Sequence, residues 1–139
     1  MRLNMIELGK KSKSRRDILD KVARISGVDV FACYQCGRCS GDCPSINLMD
    51  IMPNQAIRFL QLGEVERLLS SKTIWVCASC FTCTSRCPKG IDIARTLEAL
   101  RQVCLRKNVD NLDLNDIPEE ERMKYPTIAW VSALRKLSG

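Results

Sequence analysis

The stretch CYQCGRCSGDCP, Cys33 to Pro44, spaces four cysteines at gaps of two, two and three residues and closes on a proline. Forty-four residues on, CASCFTCTSRCP repeats the same gaps and the same ending, from Cys77 to Pro88. Eight of the nine cysteines fall in these two loops, and the chain has no histidine. Disulfides, zinc and iron–sulfur clusters compete for such a set. Disulfides need an oxidising compartment. The N-terminal MRLNMIELGKKSKSRR runs into charge without the apolar core of a signal peptide, and no apolar run approaches the roughly 20 residues that cross a bilayer. The chain therefore reads as soluble and cytoplasmic, where thiols stay reduced.

Structural zinc usually draws its ligands from two separated pairs, so that two segments meet at the metal. Here each four-thiol set lies inside one loop, and C-x2-C-x2-C-x3-C-P is the bacterial ferredoxin run for [4Fe–4S] clusters. Three thiolates at this spacing let one loop wrap three corners of a cubane while backbone N–H groups face its sulfides. The fourth, turned away by the proline, is aimed elsewhere. In two-cluster ferredoxins it ligates the other cluster. On that pattern cluster one takes Cys33, Cys36, Cys39 and Cys87, and cluster two takes Cys77, Cys80, Cys83 and Cys43. The alternative is a pair of uncrossed loops. Crossing would also staple the repeats together, which matters for a chain of 139 residues, at the small end for burying a core.

The remaining conspicuous residues have simpler readings. Cys104, the ninth thiol, falls on an apolar helix face and reads as a small buried hydrophobe. Phe31 and Trp75 each precede a loop by two residues and read as lids that keep water off a cluster. Arg38 and Arg86, inside the loops, are either charges that raise a cluster's potential or ordinary surface residues. The formal charge of +6 treats the thiols as neutral. Two clusters at roughly −2 oxidised or −3 reduced would bring it to about +2 or 0. The basic excess is then compensation for cluster charge, and no aromatic-lined basic groove suggests nucleic acid. The densest basic run, Lys10 to Arg16, reads as a solvated tail or a docking patch for an acidic partner.

Along the chain, residues 1–13 read as a basic tail, 14–107 as an all-α di-cluster domain, and 108–139 as an acidic loop with a short C-terminal helix. Ile18, Leu19, Val22 and Ile25 share a helical face that stops at Gly27. A second helix starts at Pro53 and ends at Gly63, with a short continuation from Glu64 to Leu69. Asp92 reads as the N-cap of a helix whose apolar face is Ile93, Leu97, Leu100 and Cys104. Residues 108–126 suggest a loop with one helical turn, and Ile128, Val131, Leu134 and Leu137 align on a terminal helix. No sustained alternating β pattern occurs. With no nucleophile–base set and no glycine-rich phosphate loop, the chain offers no substrate site of its own. Its conspicuous chemistry is electron transfer.

The 33 residues between Cys43 and Cys77 read as helix, unlike the shorter, β-rich two-cluster ferredoxins. That matches the α-helical ferredoxin group, found in the iron–sulfur subunits of succinate dehydrogenase, anaerobic glycerol-3-phosphate dehydrogenase and glycolate oxidase. Through SGVDVFACY, CYQCGRCSGDCP and MPNQAIRFLQLGEVERLLSSKTIWVCASCFTCTSRCPKGIDI, the chain resembles the C-subunit family of heterodisulfide reductase over about residues 17–107. The resemblance implies two [4Fe–4S] clusters that pass electrons from a flavin-bearing A-type subunit to a B-type subunit with Cys-Cys-Gly motifs. In that family the B-type subunit reduces the disulfide of coenzyme M and coenzyme B. No Cys-Cys-Gly motif occurs in this chain. The resemblance leaves the terminal substrate open, since similar proteins occur in sulfur-oxidising and sulfate-reducing bacteria. Two other readings stand beside it: the iron–sulfur subunit of a flavin dehydrogenase feeding a quinone, and a structural metal-bound interaction module.

Overall fold

A computed structural model of the chain describes residues 8–106 and 110–138, with side chains from Arg16 onward. Among the described residues it is all-α, with no strand. The first helix, α1, spans Leu8–Ser26, so it begins ahead of the expected start at residue 14. Lys and Arg are good helix formers, and nothing between Lys10 and Arg16 breaks a helix. The side chains of Lys10 to Arg15 and all of residues 1–7 lie outside the described residues. A 3₁₀ turn, Val30–Ala32, leads into the first cysteine loop, which contains the single-turn helix α2, Arg38–Gly41.

After a second 3₁₀ turn, Ile46–Leu48, come α3 (Pro53–Gln61), α4 (Val65–Leu69) and α5 (Thr73–Val76). Proline at the first position of α3 has no N–H to leave unsatisfied. At the other end Gly63, at φ 73°, completes a Schellman motif: Glu64 N–H donates to Phe59 C=O at 2.8 Å and Gly63 N–H to Leu60 C=O at 3.0 Å. The second loop holds α6 (Thr82–Arg86) and runs into α7 (Ile93–Leu105). Asp92 is the expected cap, accepting from Arg95 N–H at 2.9 Å.

The chain divides into two compact units, Met1–Arg101 and Gln102–Gly139, with the division inside α7. The core of the first gathers Val22 from α1, Ala56, Ile57 and Leu60 from α3, Val65 and Leu68 from α4, and Ile74 from α5. Ile93, Ala94, Leu97 and Leu100 of α7 complete it. Amphipathic helices buried on one stripe are what the apolar spacing dictates. Inside this unit Thr73, wholly buried, ties the approaches to the two loops together. Its hydroxyl lies 2.8 Å from an Asp50 carboxylate oxygen and 2.7 Å from Ile51 C=O, and it accepts from Ile51 N–H at 2.9 Å.

The second unit contains a 3₁₀ turn at Leu114–Asp116, α8 (Glu119–Lys124) and α9 (Thr127–Leu137). Two helical segments therefore stand where the sequence suggests one turn before the last helix. The Tyr125 and Trp130 rings meet edge to face at 5.8 Å, and Trp130 Nε1–H donates to Arg122 C=O at 3.0 Å. On the face formed by Ile128, Val131, Leu134 and Leu137, the first two are exposed and the last two half-buried.

Candidate iron–sulfur centres

The two cysteine loops have the same backbone. Gln35 and Ser79, each two residues past the first cysteine, take left-handed φ values of 63° and 53°. Gly37 and Phe81, four residues past it, take 79° and 60°. A glycine suits such a position; a phenylalanine there is a true outlier. The repeat continues in the hydrogen bonds. Ser40 Oγ, between the last two cysteines of its loop, lies 2.6 Å from Asn54 Oδ1 at the start of α3. Thr84, its counterpart, donates to Asp92 Oδ1 at 2.9 Å at the start of α7. Each loop is thus latched to the helix that follows it.

The loops also lie against each other. Helix α2 packs on α6, and Arg86 of the second loop pairs with Asp42 of the first at 3.4 Å. Both side chains of that pair are well exposed, so it adds little stability. Arg86 thus has a specific partner, whereas Arg38 lies exposed on α2.

Cys43, from the first loop, lines one pocket together with Cys77, Cys80 and Cys83 of the second. Pro44, Pro53, Phe81, Ile93, Ala94 and Leu97 supply most of the rest of its wall. Burial pushes the Cys43 thiol up, and Cys77 and Cys80 push it further. Burial likewise raises Cys83, with a contribution from Cys77. Cys80 moves the other way, because the Thr82 hydroxyl and N–H hydrogen-bond its sulfur, the hydroxyl at 3.4 Å.

Cys87 is near enough to Tyr34 of the first loop to act on its phenol. The Tyr34 phenol is pushed up by a hydrogen bond with Cys36, by slight burial and by the Cys36 and Cys87 thiols, while Arg38 opposes them. Just after Cys87, the Lys89 ammonium sits 6.0 Å from the centre of the Tyr34 ring. Burial raises Cys39, and Cys83, Cys33 and Cys36 are close enough to add to the effect. N–H groups point at sulfur here: Gln35 N–H and side-chain amide reach Cys33 Sγ at 3.4 and 3.3 Å, and Ile91 N–H reaches Cys87 Sγ at 3.3 Å.

No disulfide forms among the described residues. Nor do any three of their Cys, Asp or Glu side chains converge tightly enough to clasp a single ion. Cys43, Cys77, Cys80 and Cys83 instead line one pocket. A donor set made only of thiols, in an apolar wall with N–H groups directed at sulfur, fits an iron–sulfur cluster. Cys36 and Cys80, at equivalent positions, are exposed.

Three expectations shift. Phe31 is 67% exposed and lies against α1 rather than in the thiol pocket. Trp75 does not line that pocket either, and Phe81 does. Cys104 is half-buried rather than fully so. Two side chains that anchor the loops lack any signal in the cysteine pattern. Gln61 on α3 donates to the carbonyls of Val30 and Cys33 at 3.0 and 2.9 Å. Arg101, 1% exposed on α7, donates to the carbonyls of Ile74 and Cys77 at 2.7 and 3.2 Å.

Comparison with known proteins agrees with this chemistry. Residues 29–91 match the family model of the 4Fe-4S dicluster domain. The chain is 40% identical over 80 residues to the iron–sulfur C subunit of the CoB–CoM heterodisulfide reductase of Methanopyrus kandleri, covering 58% of this chain and 42% of that protein. It is 38% identical over 87 residues to the C subunit of the ferredoxin:CoB-CoM heterodisulfide reductase of Methanosarcina mazei, covering 63% and 53%. A C-type iron–sulfur subunit of the CoB–CoM heterodisulfide reductase of Methanocaldococcus jannaschii is 38% identical over 95 residues, covering 66% and 50%. The chain spans about half the length of the curated relatives it matches. Over its cysteine-rich helical unit, the chain is similar to 4Fe-4S dicluster proteins and to the C subunits of heterodisulfide reductases.

Proposed function

We propose that the chain is the electron-transfer subunit of a heterodisulfide-reductase-type complex, holding two [4Fe–4S] clusters with crossed ligation. Cys33, Cys36, Cys39 and Cys87 would hold the first cluster, and Cys77, Cys80, Cys83 and Cys43 the second. The observation that carries this reading is the presence of Cys43 in one pocket with Cys77, Cys80 and Cys83. On the first loop's side, the Cys87 thiol is near enough to Tyr34 to act on its phenol, and Lys89 just after it lies 6.0 Å from the centre of the Tyr34 ring, which supports the reciprocal half. Such clusters supply one-electron storage at potentials set by charge, hydrogen bonds to sulfur and exposure. The chain's part is to hold the two thiol sets side by side, exclude water behind Phe81 and the prolines, and leave Cys36 and Cys80 at the surface.

The partners on this reading are a flavin-bearing A-type subunit that delivers electrons and a B-type subunit with Cys-Cys-Gly motifs that reduces a disulfide. The names of the relatives place CoB–CoM heterodisulfide among the substrates of their own complexes. Among the described residues no helix is long and apolar enough to cross a membrane. The test is an anaerobic pull-down of the tagged protein from its host, with partners identified by mass spectrometry. The account expects a Cys-Cys-Gly-rich subunit and a flavoprotein in fixed stoichiometry. Recovery of a flavin dehydrogenase with a quinone-binding membrane subunit would overturn it.

A further inference from the structure

The two loops are anchored at matching points by chemically different side chains. Val30 and Cys33 of the first repeat correspond to Ile74 and Cys77 of the second, forty-four residues on. A single side chain from a core helix grips both carbonyls in each repeat. In the first it is the neutral Gln61 amide; in the second it is the Arg101 guanidinium. Arg101 also donates to Ser79 Oγ at 3.0 Å, inside the loop between Cys77 and Cys80. A guanidinium stays protonated wherever it is placed. The second loop therefore has a full positive charge built into its support, and the first does not.

The surroundings sharpen the difference. Arg101 is 1% exposed, so solvent screens it poorly. Its counter-ion Glu98, bonded through Arg101 Nε at 2.9 Å, has a side chain 45% exposed to water. The carboxylate is thus the better screened half of the pair, and the guanidinium is the half that touches the loop. Around the first loop the cations Arg38, Lys89, Arg86, which pairs with Asp42, and Arg58, which donates to Gln61 Oε1 at 3.1 Å, are all exposed. Adding an electron makes a cluster more negative, so an unscreened cation beside it favours the reduced state.

We propose that Arg101 is a positioning and potential-setting residue that makes the cluster of the Cys77–Cys83 loop the higher-potential one, so that electrons enter at the first loop and settle on the second. The inference rests on the two-cluster reading above and assigns the electron donor to the first loop and the acceptor to the second.

The test is an EPR-monitored redox titration of the cluster-loaded protein after iron and sulfide are counted. Cys80→Ser, which alters the line shape of one signal, identifies the second cluster. Arg101→Gln copies the first repeat's neutral anchor. It is expected to shift the second cluster's equilibrium about tenfold toward the oxidised form, about 59 mV for one electron, and to leave the first unchanged. Glu98→Gln alters only a half-exposed carboxylate and is expected to shift the same cluster to higher potential. Should Arg101→Gln fail to fold, Glu98→Gln decides alone. A wild-type protein without two clusters overturns the cluster reading itself. Two intact clusters whose potentials ignore both substitutions, or a second cluster that titrates below the first in wild type, overturn this inference alone.

Discussion

Phe81 occupies the backbone position that glycine fills in the first loop, and it does so at φ 60° while lining the thiol pocket. A left-handed bulky residue costs of order 1 kcal/mol or more, and such strain persists where the side chain serves the site. Phe81→Gly is expected to relieve the strain yet open the pocket. Global stability should change by less than about 1 kcal/mol, whereas the second cluster's absorbance should bleach several-fold faster in air and the first's should not. Equal bleaching of both would contradict the assignment of Phe81 to one cluster. Asp50 makes a different residue-scale case. Burial alone would raise its carboxyl, but hydrogen bonds from Lys72 N–H, Thr73 N–H and the Thr73 hydroxyl outweigh it and hold the carboxyl below its ordinary value. A depressed carboxyl contributes stability above its unfolded pKa, about 3.9, and loses it as pH falls through the folded value. The stability gap between wild type and Asp50→Asn in urea unfolding should therefore be widest near neutrality and narrow as pH drops below about 4.

At the scale of elements, the loops are held by the helices around them rather than by their own sequence. Thr73 joins the segment after the first loop to the helix before the second, through bonds across 22 residues. Thr73→Val keeps the shape but strips the Ile51 N–H and the Asp50 carboxylate of a partner. The expected cost is about 1–3 kcal/mol, read as a lower urea midpoint at unchanged slope. The helices themselves are legible in the sequence where a local signal exists. Pro53 and Gly63 bracket α3, and Asp92 caps α7. The spacing also anticipates the paired cysteine loops. Contacts with no local period leave no such mark. Gln61 and Arg101 reach carbonyls 24 to 31 residues away, and the cysteine pattern assigns no anchor to either loop. Phe31 departs from its expected place for a related reason: adjacency to a cysteine in sequence says nothing about which side of the turn a ring faces, and Phe31 lines a hollow along α1 with Arg16, Leu19 and Ala23.

At the scale of the whole molecule, two copies of one loop pack against each other, and on the proposed reading they exchange the fourth ligand. A short chain would then gain two centres and a brace from the same residues. Crossed ligation makes each cluster depend on both halves of the repeat, so damage to one loop's last cysteine should be felt in the other loop's spectrum. The measurement that tests this most directly is EPR of the reduced protein carrying Cys43→Ala, set beside Cys87→Ala, with iron counted in each. Cys43→Ala is expected to abolish or convert the signal that Cys80→Ser perturbs and to spare the one that Cys36→Ser perturbs, with Cys87→Ala doing the reverse. If Cys43→Ala instead damages the signal belonging to Cys33, Cys36 and Cys39, each loop keeps its own fourth cysteine and the crossed arrangement is wrong.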